Sequence, residues 1–486
     1  MAKYTDSSDW DFQYLDDIQL DITKAAQHFK LEPYKYQLEI VSSEQMLDLY
    51  ADVGMPISYS HWSKGKERIA SEKKYKKGEM GLAFEIVINT DPSIAYLMES
   101  NTKMMQCLVI AHAIYGHSTF FKNNYLFKEW TDASTIIDYM SYAKKFISSC
   151  EEKYGEQEVE WLLDSCHTIQ NYGVNKYKRP QKLSFEKERA RVKDRDDYLQ
   201  SQVNDLWRTI PKKQKTKNIF EDEDYEDHDD SDNNPLKEPQ ENLLYFIEKH
   251  SPILKPWQRE IVRIVRHIAQ YFYPQMQTQL INEGFATFTH YNILNKLYDD
   301  DIVGEGFMLE FLASHAGVTR QDPMTSINPY ALGFAMFQDI RRICENPTQE
   351  DKVWFPDLIG KDWIEETNYI MANFKDESFI SQYLSPKVIR DFHMFSLVDD
   401  DRNPHMNISE IHDDEGYRKL RNALSNQYNL SNRLPNIQIV DYDAEGFRGL
   451  ILKYDSHNRH SLDRNFEEVL LHIEDLWGFD VGFEVI

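Results

Sequence analysis

Cysteine is scarce: four in 486 residues, Cys107, Cys150, Cys166 and Cys344, widely spaced and with no CxxC pair. That gives no disulfide framework, and the expectation is reduced, buried thiols in a cytoplasmic protein. Cys166 and His167 adjoin, but neighbours on a helix point about 100° apart, a poor geometry for a shared nucleophile or ligand site. Long apolar runs are missing too. The longest, around Cys107 to Ile114, is interrupted by His112 and falls far short of the ~20 residues a membrane span needs. The first residues, MAKYTDSSDWDF, have no basic region followed by an apolar core, so no signal peptide is expected. Basic charge is in deficit: 55 Lys and Arg against 81 Asp and Glu give a formal net charge of −26. Such a surface repels phosphate backbones, which argues against a nucleic-acid partner.

What is present points to a large folded chain. The hydrophobic fraction is 41% and the aromatic fraction 13%, enough for a sizeable core. The acidity is partly local: nine of the twelve residues from Glu221 to Asp232 are Asp or Glu, after the basic stretch Pro211 to Lys217. This tract has few apolar anchors and reads as a solvated, partly disordered insertion over about 185–240, with cation binding or partner docking as the functional alternative.

Around the insertion the pattern is mostly helical. Leu82 to Asn89 alternates as a strand, with Phe84, Ile86 and Ile88 on one side and Glu85 and Asn89 on the other, and Asp91-Pro92 stops it. Helices are expected from Ile94 to about Tyr172 and again from Glu241 to Tyr298, with Pro274 ending one helix and setting up the next. The last residues predict an α-β-β-α-β unit: a helix from Asp414 to Asn429, strands Ile437 to Val440 and Leu450 to Tyr454, a helix from Asp463 to Trp477 and a strand from Val481. The expected fold class is α+β, predominantly helical, with a core over 1–400 and a small C-terminal module over 401–486.

Two segments carry chemistry, Val109-Ile110-Ala111-His112-Ala113-Ile114-Tyr115-Gly116-His117 and Ile281-Asn282-Glu283-Gly284-Phe285-Ala286. They resemble the zinc helix of zincin peptidases and the Asn-Glu-Gly helix that supplies a third, carboxylate ligand in gluzincins. That resemblance implies a zincin-like core in which His112, His117 and Glu283 hold zinc. Two departures stand out. Histidines at i and i+4 lie about 40° apart on a helix, whereas His112 and His117 are five apart and, on a regular helix, roughly 140°. A π-bulge or helix end at Gly116 would absorb the extra residue. Ala113 also stands where a peptidase has the glutamate that polarises water. Zincins border their cleft with a strand before the zinc helix, so Glu85 and Glu99 are the candidates for the missing base. Glu283 and His290 are two turns apart, about 10 Å, which suits His290 as a partner behind a ligand or as a substrate contact better than as a co-ligand. A hydrogen-bonded His/Glu network without metal stays open beside the metal reading.

With their surroundings these segments resemble the SpoVR family, named for stage V sporulation protein R. The resemblance runs through Gly54-Met55-Pro56, Tyr59-Ser60-His61-Trp62, Gly81 to Asn89, Ile110 to His117, Asp164-Ser165-Cys166-His167, Trp257-Gln258-Arg259-Glu260, Asn282-Glu283-Gly284 and Asn328-Pro329-Tyr330. It implies a protein of spore-cortex or cell-envelope biogenesis, or of stationary-phase stress. It also implies a serine protein kinase and a von Willebrand A-like protein as partners. Two function classes follow, a regulator on a zincin-like scaffold and a metal-dependent hydrolase of a peptide or peptidoglycan-related amide.

Overall fold

The computed structural model describes residues 2–5, 9–52, 55–76, 85–176, 239–322, 325–394, 397–398, 407–408, 413–443, 446–455 and 466–485. The acidic tract, all but the end of the expected insertion, Gly54 and the 81–84 stretch lie outside them. Among the described residues helices predominate beside three small sheets, an α+β fold.

The first helix, Phe12–His28, starts where Asp11 accepts the Tyr14 N–H (2.7 Å), and it buries Ile18, Ile22 and Ala26 completely. Strand β1 (Tyr36–Val41) follows. Strand β2 (Glu85–Ile88) keeps the expected alternation: Ile86 and Ile88 pack into apolar clusters, while Glu85 and Val87 face a cleft. From Ile94 the structure departs from expectation. Residues Ser93–Met98 form β3, the central strand, parallel to β1 and antiparallel to β2. A short apolar run covered on both faces has no polar side to reveal its period, so sequence periodicity cannot separate it from a buried helix. Pro274 also lies inside its helix, Pro256–Met276, and the break comes at Gln277 and Thr278.

The larger core gathers Phe12–His28, the long helix from Lys103, and the helices Gln279–Asp299 and Pro329–Glu345. A second core joins Ile136–Tyr154, Glu156–Thr168, Leu243–His250 and Pro256–Met276. Here the Trp257-Gln258-Arg259-Glu260 segment is structural. Gln258 Oε1 accepts the Lys255 N–H (2.9 Å), and Arg259 donates to the main-chain carbonyls of Glu248, Ser251 and Leu254 at the end of the preceding helix. One turn on, buried Arg263 donates to Glu248 (3.0 Å) and Glu260 (3.4 Å).

Two-residue strands β4 (Leu397–Val398) and β5 (Asn407–Ile408) pair antiparallel, and the helix Asp414–Tyr428 packs on Asp376–Tyr383 with Leu424 in the larger core. The terminal sheet has β6 (Asn436–Tyr442) antiparallel to β7 (Leu450–Asp455) and β8 (Val481–Val485) parallel to β7, with the helix Phe466–Trp477 between β7 and β8 in sequence. Ile439, Leu452 and Trp477 share the second core with Leu162 and Ile261, so this sheet is built into the body of the protein.

Candidate metal centre

The helix that starts at Lys103, where Thr102 accepts the Met105 N–H (3.2 Å), is α-helical to Ile110, π-helical over Ala111–Ser118, and α-helical again over Thr119–Asn123. A turn closed by i→i+5 bonds brings residues five apart onto one face. That is how the five-residue spacing is accommodated: the His112 and His117 rings lie 4.6 Å apart, nearly perpendicular. The extra residue is spread over eight, beyond any single bulge at Gly116. Gly116 serves packing instead, since a Cβ there would sit 2.6 Å from Ala286 Cα.

The opposing helix, Gln279–Asp299, is held at its start by buried Asp376, which accepts the Leu280 (3.1 Å) and Ile281 (2.8 Å) N–H groups. Small residues then let it approach on two sides. Ala286 meets Gly116, and a Cβ on Gly284 would lie 2.5 Å from Gly333 Cα. The Asn282-Glu283-Gly284-Phe285-Ala286 pattern is therefore two polar side chains followed by the backbone contacts that aim them.

Glu283 Oε2 lies 3.4 Å from His117 Nε2 and 3.7 Å from His112 Nε2. Glu85 reaches the same place from β2, with Oε1 3.6 Å from His112 Nε2, and Glu85, His112 and His117 offer ligand atoms within 4.8 Å of one another. Behind the imidazoles each Nδ1 is engaged: His117 with Asn282 Oδ1 (3.0 Å) and His112 with His290 Nδ1 (2.9 Å), whose Nε2 lies 2.9 Å from His315 Nδ1. Both Nε2 atoms are thus turned to the carboxylates, in the manner of metal-ligating histidines fixed by outer partners. Buried Oε2 atoms of Glu85 and Glu283 accept no well-formed hydrogen bond within the protein, an orphaned acceptor pair that a cation would satisfy. The residues fit a divalent metal, and nothing in this nitrogen and oxygen set singles out zinc.

Charge distribution agrees with a paired site. Burial opposes charging Glu283, but His117, His112 and the Tyr330 hydroxyl together hold its pKa below the ordinary value. Burial also opposes protonation of His112, which Glu85 and Glu283 outweigh, raising it; His117 stays lowered, burial exceeding the pull of Glu283. Glu85 is pushed up to about 8, by burial first and by Glu283. His290 is held well below its usual value and His315 at about 4, both chiefly by burial, so the chain behind His112 is uncharged.

The group opens on a cleft of about 720 Å³ whose walls include Val87, Leu108, Phe121, Gln275 and Tyr330. Glu99 is absent from it: it is exposed in the turn after β3, so it cannot serve as the base there. His290 stands behind His112. Asn282 and Tyr330 were legible only as neighbours within recurring motifs, and His315, in the helix Glu305–Val318, carries no local signal at all.

A family model described as SpoVR like protein matches residues 9–433, and one described as SpoVR-like C-terminal domain matches residues 435–486. The chain belongs to the SpoVR family. Among curated proteins it is similar to the uncharacterized protein YcgB of Escherichia coli (strain K12), at 58% identity over 488 residues covering 99% of this chain and 94% of that one. No solved structure matches this chain. All four cysteines are buried and free, and among the described residues no helix is long and apolar enough to cross a membrane.

Proposed function

We propose that this SpoVR-family protein is a metal-dependent hydrolase of a peptide or peptidoglycan-related amide bond, serving cell-envelope or spore-cortex biogenesis or the stationary-phase stress response. His112, His117 and Glu283 hold the ion, zinc or a similar divalent metal. The observation that carries this is the convergence of two carboxylates, each with a buried unsatisfied oxygen, on the Nε2 atoms of two histidines in a cleft. A bound ion supplies Lewis acidity and a more acidic water. The protein's own residues do the rest. Asn282 and His290 fix the two rings, the Tyr330 hydroxyl favours the charged form of Glu283, and Glu85 on β2 takes the place of the missing glutamate as the proton holder. The apolar walls Val87, Leu108 and Phe121 limit water around the reacting bond.

A second reading, a non-catalytic regulator working with a serine protein kinase and a von Willebrand A-like protein, is favoured by Ala113, fully buried in the core beside His112. Metal analysis of untagged protein tests the first. About one equivalent is expected, lost in His112→Ala and Glu283→Ala; less than about 0.1 equivalent in wild type would remove the metal reading. Glu85→Gln separates the two functions. Metal retained with amide cleavage abolished supports the hydrolase, while no cleavage of any peptide by the metal-loaded wild type leaves the regulator.

A further inference from the structure

Two family-like segments have no part in the metal centre, Tyr59-Ser60-His61-Trp62 and Asp164-Ser165-Cys166-His167, yet they meet in space. Trp62 Nε1 donates to Asp164 Oδ1 (2.7 Å), Tyr59 Oη lies 2.7 Å from His167 Nε2, and the His61 and His167 rings meet edge to face at 4.6 Å. Three groups form a line through this junction. Ser63 Oγ lies 2.7 Å from His61 Nδ1, and on the far side of the ring His61 Nε2 lies 3.1 Å from Asp164 Oδ1. The Ser63 main-chain N–H also points to Nδ1 (3.3 Å), so Nδ1 is the acceptor and Nε2 carries the proton that faces the carboxylate.

His61 precedes the helix Trp62–Lys76, and capping explains why Nδ1 accepts a main-chain N–H. Capping does not call for a hydroxyl on the same nitrogen, nor for a carboxylate held against the other one by an indole N–H. A nucleophile, a base within hydrogen-bond reach of it and a third group orienting the base are the elements of an activated serine. The Nε2 approach to Asp164 is off the line of a well-formed hydrogen bond, as resting catalytic contacts often are. The base is buried, with His61 7% exposed, whereas Ser63 is half-buried and no atom lies within 4 Å of the Cβ position of Gly65 in the same helical turn. Burial, opposed chiefly by Asp164, holds the His61 pKa below its usual value, so the ring is an unprotonated base near neutrality.

We infer that Ser63, His61 and Asp164 form a second, metal-independent nucleophilic site for acyl transfer from esters. Ser63 Oγ adds to the ester carbonyl as His61 Nδ1 takes the hydroxyl proton. That proton goes to the departing alkoxide, leaving an acyl ester on Ser63. Water, losing a proton to the same Nδ1, then cleaves that ester and returns the hydroxyl as the acid leaves. Asp164 orients the ring and stabilises its charged form.

The test is labelling of the full-length protein with a fluorophosphonate, read by intact mass and peptide mapping. One adduct on Ser63 is expected, absent in Ser63→Ala and slowed about a hundredfold or more in Asp164→Asn. Chelators should leave the rate unchanged, which separates this site from the metal centre. Tyr59→Phe removes a tie between the same two segments without touching Ser63, His61 or Asp164, and it should label within about threefold of wild type. No adduct at Ser63 in wild type would overturn the inference. So would Tyr59→Phe slowing labelling as much as Asp164→Asn, because the carboxylate would then act only by tying the segments together.

Discussion

Gly284 is the most direct handle on how the fold aims its functional side chains. A Cβ at this position would fall 2.5 Å from both Cα and the carbonyl carbon of Gly333, while ordinary contact begins at 3.4 Å. In Gly284→Ala the two helices must therefore part by about 1 Å, since the obstructing atoms are main chain and cannot rotate aside. Overpacking of this kind costs about 1–3 kcal/mol, here at the upper end, and alanine returns about 1 kcal/mol in helix propensity, for a net loss of about 2 kcal/mol. In a chain of 486 residues that lowers the melting temperature by about 2 °C. The same displacement acts on the neighbouring residue, Glu283, whose Oε2 stands 3.4 and 3.7 Å from the two imidazole nitrogens. Metal affinity should fall at least about tenfold. Gly65→Ala is the control: with open space at its Cβ and helix on both sides, it should leave stability unchanged or raise it by up to about 1 kcal/mol. Thermal melts with metal titration provide the measurement. A Gly284→Ala protein melting within about 1 °C of wild type, with unchanged metal affinity, would refute the close-crossing argument.

Two further outcomes test other parts of the structure. Arg263→Met removes the buried cation between Glu260 and Glu248, which keeps Arg266 (3.1 Å), and should cost about 1–3 kcal/mol, with Glu248→Gln restoring part of it; additive denaturation midpoints in the double variant would contradict the coupling. Burial, with His61 and Lys64 nearby, depresses His167 to about 4, so its contribution to stability is fully present above the unfolded value of 6.5 and is lost as pH falls toward 4. By pH 5 the loss is about 2 kcal/mol, and His167→Gln, which cannot take the proton, should show a smaller drop in melting temperature between pH 7.5 and pH 5; equal drops would count against the assignment.

Much of the architecture was legible in the chain because local periodicity records which face of an element is buried. The alternation at Glu85, Ile86, Val87 and Ile88 and the whole succession of terminal strands and helices are of this kind. The central strand Ser93–Met98 was illegible because burial on both faces erases the alternation. The sequence by itself also marked His112, His117 and Glu283 as candidate donors, and it fixed the missing carboxylate at Ala113 and the five-residue spacing that demands an unusual helix. Which carboxylate joins them was a tertiary decision. Glu85 and Glu99 were equal candidates in the chain, and the β2–β3 pairing puts one at the cleft and the other on the surface. The same holds for the His112–His290–His315 chain and for Ser63 and Asp164 beside His61, because their partners come from elements whose separation no local pattern encodes.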